Sequence, residues 1–339
     1  MVKKNIVYII AEIGNNHNGN IDKCVKLIKA AHSSGANAVK FQSFRGLDIV
    51  NPRVLATDYP AWDSKGYKYW YEFLDSIALP LESHQDIINY SNKLGMDFIT
   101  TPVTPEIVSM LENLDGIKSY KIASMDLNNY DLLHSISKTN KSVILSTGMG
   151  SIEEIEDAVK ILSKENLSIM HCISDYPLNP SDSYLNNIRI LKKYFPNNII
   201  GLSDHSLGHE IAILAVSLRA KIIEKHFTLD RNDPNAAEHH FSMEPNEFKK
   251  MTKWIGHIED NLSYSSWKRS ENENKVIHQY RRSFHYKKDL KKGHILKKTD
   301  IIYLRPGNGI DFTNLNKVIN KSLKKYIKAY DPCLEDDFI

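Results

Sequence analysis

The chain is poor in cysteine, with only Cys24, Cys172 and Cys333 among 339 residues and no C-x-x-C spacing. An odd, scattered set argues against a disulfide framework and a structural zinc site, and it fits a reducing compartment. Long apolar runs are also missing: no stretch approaches the roughly 18 residues of a membrane helix. The N-terminal MVKKNIVYIIAEIG meets Glu12 without a small-residue cleavage pattern, so it reads as a buried first strand of a cytoplasmic protein rather than a leader. Charge of one sign is lacking as well. The 44 Lys and Arg offset 41 Asp and Glu, an excess too small to call for a nucleic-acid partner. Residues 283–339 are locally basic, with 12 Lys and Arg against 7 Asp and Glu, but their lysines lack interleaved aromatics and read as a solvated face.

What is present is alternation. Eight short β-rich runs, at 5–12, 37–43, 96–101, 117–124, 142–147, 167–172, 198–203 and 221–226, are separated by stretches with helical periodicity. Such alternation implies a parallel sheet of the α/β class, and the number eight favours a closed (β/α)8 TIM barrel over an open doubly wound sheet. The gap at 44–82 is too long for one helix and holds Tyr59, Trp62, Tyr67, Tyr69, Trp70, Tyr71 and Phe73. It reads as an inserted loop with a short helix over one barrel end. Residues 1–260 are thus expected to form the barrel, 261–281 a polar connection, and 282–339 a small domain of short strands and turns. A domain that small is marginal alone and is expected to dock on a barrel.

A barrel carries its site where the strands end. Those ends hold Glu12, Lys40 with Gln42, Thr101, Lys121 with Ser124, Ser146, His171 with Ser174, Ser203 with His205, and Glu224 with His226. Strand ends are often polar because they meet solvent, yet Lys40 and Lys121 lie inside apolar runs, and a buried ammonium needs an anion or another partner. Two such lysines in one lumen favour a phosphate or carboxylate substrate. His205 and His226 close neighbouring strands and suit a divalent ion such as Mn²⁺, Mg²⁺ or Co²⁺. In LSTGMGS (145–151), Gly148, Gly150 and Ser151 fit either an anion cradle or a plain helix cap.

With these motifs in place, the chain resembles the sialic acid synthase family of phosphoenolpyruvate-dependent enzymes. AEIGNNHNG (11–19), AVKFQSF (38–44), FITTP (98–102), YKIAS (120–124), ILSTGM (144–149), HCISDYP (171–177), GLSDHSLG (201–208), IEKHFTLD (223–230) and RPGNG (305–309) carry the resemblance in order across nearly the whole chain. It implies a barrel followed by a C-terminal antifreeze-like (SAF) domain, in a domain-swapped homodimer where each small domain caps the other subunit's site. It implies a metal on His205 and His226, and a phosphoenolpyruvate site of Lys40, Thr101, Lys121, Ser124, Ser146 and Ser203. On the sugar side it implies Glu12, Gln42, Tyr176 and a partner's Arg305 near the acylamino group. Departures fall on that side: Met125 and Asp126 stand for a glycine and a glutamate, Ser174 for an asparagine, and Glu238 for an aspartate in a longer loop. The implied acceptor is an acylated hexosamine, either N-acetylmannosamine or a 6-deoxy diacetamido hexose. A Schiff-base aldolase using Lys121, or a synthase of a shorter keto-acid phosphate, stands as the alternative.

Overall fold

The computed structural model describes residues 7–59, 66–163, 165–233 and 238–339. Trp62, expected in the inserted loop, lies outside the described residues. The chain divides into two compact units, Met1–Ser263 and Tyr264–Ile339. In the first, β1 (Tyr8–Gly14), β2 (Ala38–Ser43), β3 (Asp97–Pro102), β4 (Ile117–Ile122), β5 (Ser142–Ser146), β6 (Leu167–Cys172), β7 (Ile199–Asp204) and β8 (Ile222–His226) run parallel. They close in sequence order, with β1 paired to β8. The open sheet is therefore ruled out.

Alternation along each strand decides what faces the lumen. Ile10, Ala38, Ile99, Ile144, Met170 and Ile222 pack together as the apolar floor inside the barrel. Two residues further along the same parity come Glu12, Lys40, Thr101, Ser146, Cys172 and Glu224. The opposite parity, including Ile9, Ala11, Val39, Phe41 and Phe98, packs outward in the core beneath the helices. Both faces are buried, which is why these strands read as nearly continuous apolar runs. At Gly201 on β7 a Cβ would sit 2.4 Å from Met170 Sδ and 2.6 Å from the Ile222 carbonyl oxygen, so the floor closes only with glycine there.

The excursion between β2 and β3 holds helices Gly46–Ile49 and Trp70–Ile77. It has its own core of Phe44, Ala56, Trp70, Phe73, Leu74 and Ile77. Gly46 is required by close approach, since a Cβ there would meet the Tyr71 carbonyl oxygen at 2.1 Å.

In the second unit, β9 (Ser283–Tyr286) and β10 (Ile301–Leu304) pair antiparallel. They pack around Phe284, Tyr286, Leu296, Ile301 and Leu323. Within the stretch read as a polar connection, a helix spans Glu271–Tyr280, opened by a capping box between Ser270 and Glu273. Its residues bury no side chain, so no apolar periodicity announced it. Among the described residues no helix is long and apolar enough to cross a membrane.

Candidate active site

A cavity of about 470 Å³ lies at the C-terminal ends of the barrel strands. It gathers Glu12, Lys40, Gln42, Thr101, Lys121, Ser124, Asp126, Ser146, Tyr176, Ser203, His205, His226 and Glu238 from all parts of the first unit. Two expected residues stand apart. Ser174 is absent from the lining, its Oγ packed 2.5 Å from where a Gly148 Cβ would be. Arg305 belongs to the second unit, where its guanidinium lies 5.6 Å over the Tyr280 ring. A second cavity of about 460 Å³, lined by residues such as Ile9, Asn37 and Lys221, holds none of the expected site residues.

The lumen lysines are not left waiting for a substrate anion, because carboxylates of the chain itself pair with them. Lys40 Nζ is 3.1 Å from Glu12 Oε2 and 3.6 Å from Glu224 Oε1. Lys121 Nζ donates to Glu224 Oε1 at 3.4 Å, and Ser203 Oγ donates to the same oxygen at 2.9 Å. Burial pushes the Lys121 ammonium below its ordinary range, against the pull of Glu224 and with Lys40 repelling it. Burial works the same way on Lys40, but Glu12 and Glu224 outweigh it and hold Lys40 high. The carboxylates divide likewise. Burial raises Glu12, whereas at Glu224 the two lysines overcome burial and hold the carboxyl low.

Charge balance does not satisfy the hydrogen bonding. Glu224 Oε2, Asn15 Oδ1, Thr101 Oγ1 and Ser146 Oγ are all buried without a hydrogen-bond partner. All four belong to residues lining the one cavity. Buried polar atoms left open in this number are costly in a site that stays empty, and they form a preorganised polar floor for a ligand with several oxygens.

The two histidines meet as their strand positions predicted, with ring centroids 5.4 Å apart. His205 Nδ1 lies 2.7 Å from the Ile173 carbonyl, which only accepts, so this nitrogen carries a proton, and in the neutral ring Nε2 is the nitrogen with a lone pair to offer. His226 Nδ1 is 3.2 Å from Glu238 Oε2. The Glu238 carboxylate is held low by His226 and the Asn15 backbone against the effect of burial. Tyr176 covers His205 at 4.1 Å and Phe241 covers His226 at 4.8 Å. This donor set fits a divalent ion with open positions. Among the described residues no group of three or more His, Cys, Asp or Glu could hold a metal ion, so the two imidazoles are the protein's share and water or substrate oxygens would have to supply the other ligands.

Glycines let the loops approach. Gly14 has φ +52°, and a Cβ there would lie 2.1 Å from Glu238 Oε2. Gly148 donates its N–H to Ser124 Oγ at 3.0 Å. Ser151 proves to be a helix cap: its Oγ accepts from Glu154 N while Glu154 Oε2 accepts from Ser151 N at 2.8 Å. The anion-cradle reading of that residue is therefore dropped. Asp126 lines the cavity, its carboxyl raised by burial and accepting from Asn129 Nδ2 at 3.1 Å.

Sequence reasoning placed Glu224 in the lumen without assigning it a partner, and gave no role to Asn15, Cys172 or the wall from the excursion. Cys172 had a signal, being one residue past His171 with the parity of the lumen. Its Sγ accepts from Ser124 Oγ at 3.5 Å. Burial raises its pKa, but His205, Ser124 and Lys121 bring the thiol down to about 7. His171 faces away, its Nε2 bonded to the Ser183 carbonyl at 2.7 Å.

Comparison with known proteins places this geometry among sugar-acid enzymes. The NeuB family pattern matches residues 27–266 and the SAF domain pattern residues 281–339. A Campylobacter jejuni N,N'-diacetyllegionaminic acid synthase is 36% identical over 94% of this chain and 96% of its own length. A pseudaminic acid synthase from the same species is 33% identical over 98% and 96%. The crystal structure of an N-acetylneuraminic acid synthetase from Leptospira borgpetersenii aligns with a TM-score of 0.71 and 32% identity, over 80% of this chain and 90% of that one.

Proposed function

Because the chain belongs to the NeuB family, with a C-terminal SAF domain, and is an enzyme of sialic-type acid synthesis, we propose that it condenses phosphoenolpyruvate with an N-acylated amino hexose of the 6-deoxy diacetamido type. The products are a legionaminate-type nine-carbon 2-keto acid and phosphate. The carrying observation is the set of unpartnered buried polar atoms around paired lysines and carboxylates in one lumen. The acceptor class is supported by the legionaminate relative, similar over nearly the full length of both chains.

In this reading Lys40 and Lys121 hold the donor's phosphate and carboxylate by charge-assisted hydrogen bonds, exchanging part of their contact with Glu12 and Glu224. Thr101, Ser124, Ser146 and Ser203 supply hydroxyls to the same anion. A divalent ion held by His205 and His226, Mn²⁺ first and Mg²⁺ or Co²⁺ next, would supply Lewis-acid polarisation of the acceptor's aldehyde oxygen. Gln42, Asp126, Tyr176 and Glu238 bind the sugar. Donor C3 bonds to the aldehyde carbon, whose oxygen gains a proton. Water then adds at donor C2, and the resulting hemiketal phosphate breaks its C–O bond to release phosphate. Glu12, kept high in pKa by burial, takes the proton from that water. Holding both substrates in register makes bond formation effectively unimolecular. Arg305, exposed on its own unit, closes the site of a second copy in a domain-swapped homodimer.

The test is phosphate release with phosphoenolpyruvate, Mn²⁺ and a panel of acylated hexosamines. Fastest release with a diacetamido trideoxy hexose, and slower release with mono-acetamido hexoses, is the expected result. Release with N-acetylmannosamine alone would move the acceptor to the N-acetylneuraminate type, and borohydride trapping of pyruvate on Lys121 would replace the mechanism by Schiff-base chemistry. For the metal, calorimetric titration of Mn²⁺ should show binding that His205→Ala and His226→Ala each abolish.

A further inference from the structure

The polar floor accounts for only part of the cavity. Its remaining wall comes from the excursion between β2 and β3, where Phe44, Ile49, Val50, Tyr59 and Trp70 line the same space. Trp70 stacks on Tyr59 at 4.7 Å with an interplanar angle of 17°, and on Phe73 at 5.0 Å. Phe44 and Trp70 are buried in the excursion's own core, so the wall is backed by packed side chains rather than hung on a loop. Its inner edge is open: Ile49 and Tyr59 keep 38% and 41% of their surface exposed. An apolar edge left wet beside a charged lumen gains free energy when a ligand's carbon surface covers it.

Of the two substrates in the proposed reaction, one cannot do this. Phosphoenolpyruvate has three carbons carrying a phosphate and a carboxylate, and the lysines and hydroxyls at the strand ends match it group for group. The acceptor alone offers C–H faces and methyl groups. Its aldehyde must reach the donor on the floor, so its far end extends toward the mouth, where the excursion lies.

We propose that the Ile49, Val50, Tyr59 and Trp70 wall is an acceptor subsite that seats a methyl-bearing substituent remote from the reacting carbonyl, and that these residues set the choice of acceptor. The inference rests on the synthase reading above. It does not depend on which protein group binds the acylamino nitrogen. The wall selects a methyl over a hydroxymethyl because a hydroxyl placed against Ile49 and the stacked rings would lose its water without gaining a partner.

The experiment compares N-acetylmannosamine with its 6-deoxy analogue in wild-type chain and in Ile49→Asn, Tyr59→Ser and Trp70→Phe. Wild type should favour the 6-deoxy acceptor by about tenfold or more in kcat/KM, the range one methyl-sized contact gives. Ile49→Asn and Tyr59→Ser should bring that ratio to within about threefold of unity by raising the 6-deoxy acceptor's KM. The KM for phosphoenolpyruvate should stay unchanged. Ile49 and Tyr59 are partly exposed, so these variants are expected to fold, and Trp70→Phe keeps the wall apolar and should keep the preference. A preference that is the same in wild type and variants overturns the inference alone, as does a donor KM that rises with the acceptor's. No phosphate release by wild type with any acylated hexosamine overturns the synthase reading and this inference with it.

Discussion

The last residues of β7 and β8 solve the same problem in two opposite ways. On the outer face, Lys225 Nζ lies 2.7 Å from Asp204 Oδ2 and also reaches the Ser206 carbonyl, while Asp204 Oδ1 accepts from Ser206 N and Oγ at 2.9 and 2.7 Å. Both charges are buried and none of their polar atoms is left open. One residue along, on the inner face, Glu224 shares one oxygen among Lys40, Lys121 and Ser203 and leaves the other bare. The outer pair is complete without a ligand and sets the register Asp204↔Lys225 beneath the two histidines. The inner cluster is balanced in charge but unfinished in hydrogen bonding, the condition expected of a site whose remaining partners arrive with the substrate.

The largest effect should come from the inner cluster. Lys121→Met removes a donor to the anion and is expected to lower kcat/KM by about 10²–10³, mostly through the KM for phosphoenolpyruvate. It also takes away one cation from Glu224, so the variant should lose stability rather than merely shed a desolvation cost. The double variant Lys121→Met/Glu224→Gln should regain stability, measured by urea unfolding, while staying inactive. Equal stability of single and double variants would show that Lys40 and Ser203 suffice for Glu224.

Next, the outer pair should behave as structure alone. Lys225→Met strands a fully buried carboxylate and is expected to cost about 3–5 kcal/mol. Asp204→Asn/Lys225→Met keeps the acceptor for Ser206 and should recover most of that. In folded protein the KM for phosphoenolpyruvate should be unmoved in both, the reverse of the inner pattern. A raised donor KM in the folded double variant would mean that the two faces are not separable.

How much of this could be read from the residues depends on the range of the interaction. Lumen-facing Lys40, Lys121, Glu224 and the histidines were legible because parity along a strand is local and their neighbours are apolar. That Glu224 neutralises both lysines was not, since it joins residues 103 positions apart. Likewise the aromatics of 44–82 were visible as a composition, but which of them would line the cavity depends on how the excursion packs on itself. The helix Glu271–Tyr280 was missed for a different reason. Its apolar face is absent, but the Ser270 and Glu273 capping box was present in the sequence as a start signal.

The smallest effect sharpens the contrast from a third position. His17, in the loop after β1, packs 5.8 Å from the Phe41 ring, whose side chain belongs to the outer core. Its Nδ1 accepts from Gly19 N at 3.0 Å, so Nε2 carries the hydrogen, and that atom is buried without a partner. An unfinished titratable group therefore sits against the outer core, and it is tolerated because it is neutral: burial lowers the pKa to about 4. In the unfolded chain the same imidazole titrates near about 6.5. Between those values the unfolded state binds a proton that the folded state refuses, so stability falls as pH drops below about 6.5 and is unaffected by this group above it. By pH 5.5 the loss due to His17 should be about 1 kcal/mol. Urea unfolding at pH 7.5 and 5.5 should show wild type losing that much more than His17→Gln, which cannot take up the proton. An equal loss in both proteins would place the charge on His17 in the folded state, and the outer face would then hold an open charged group just as the lumen does.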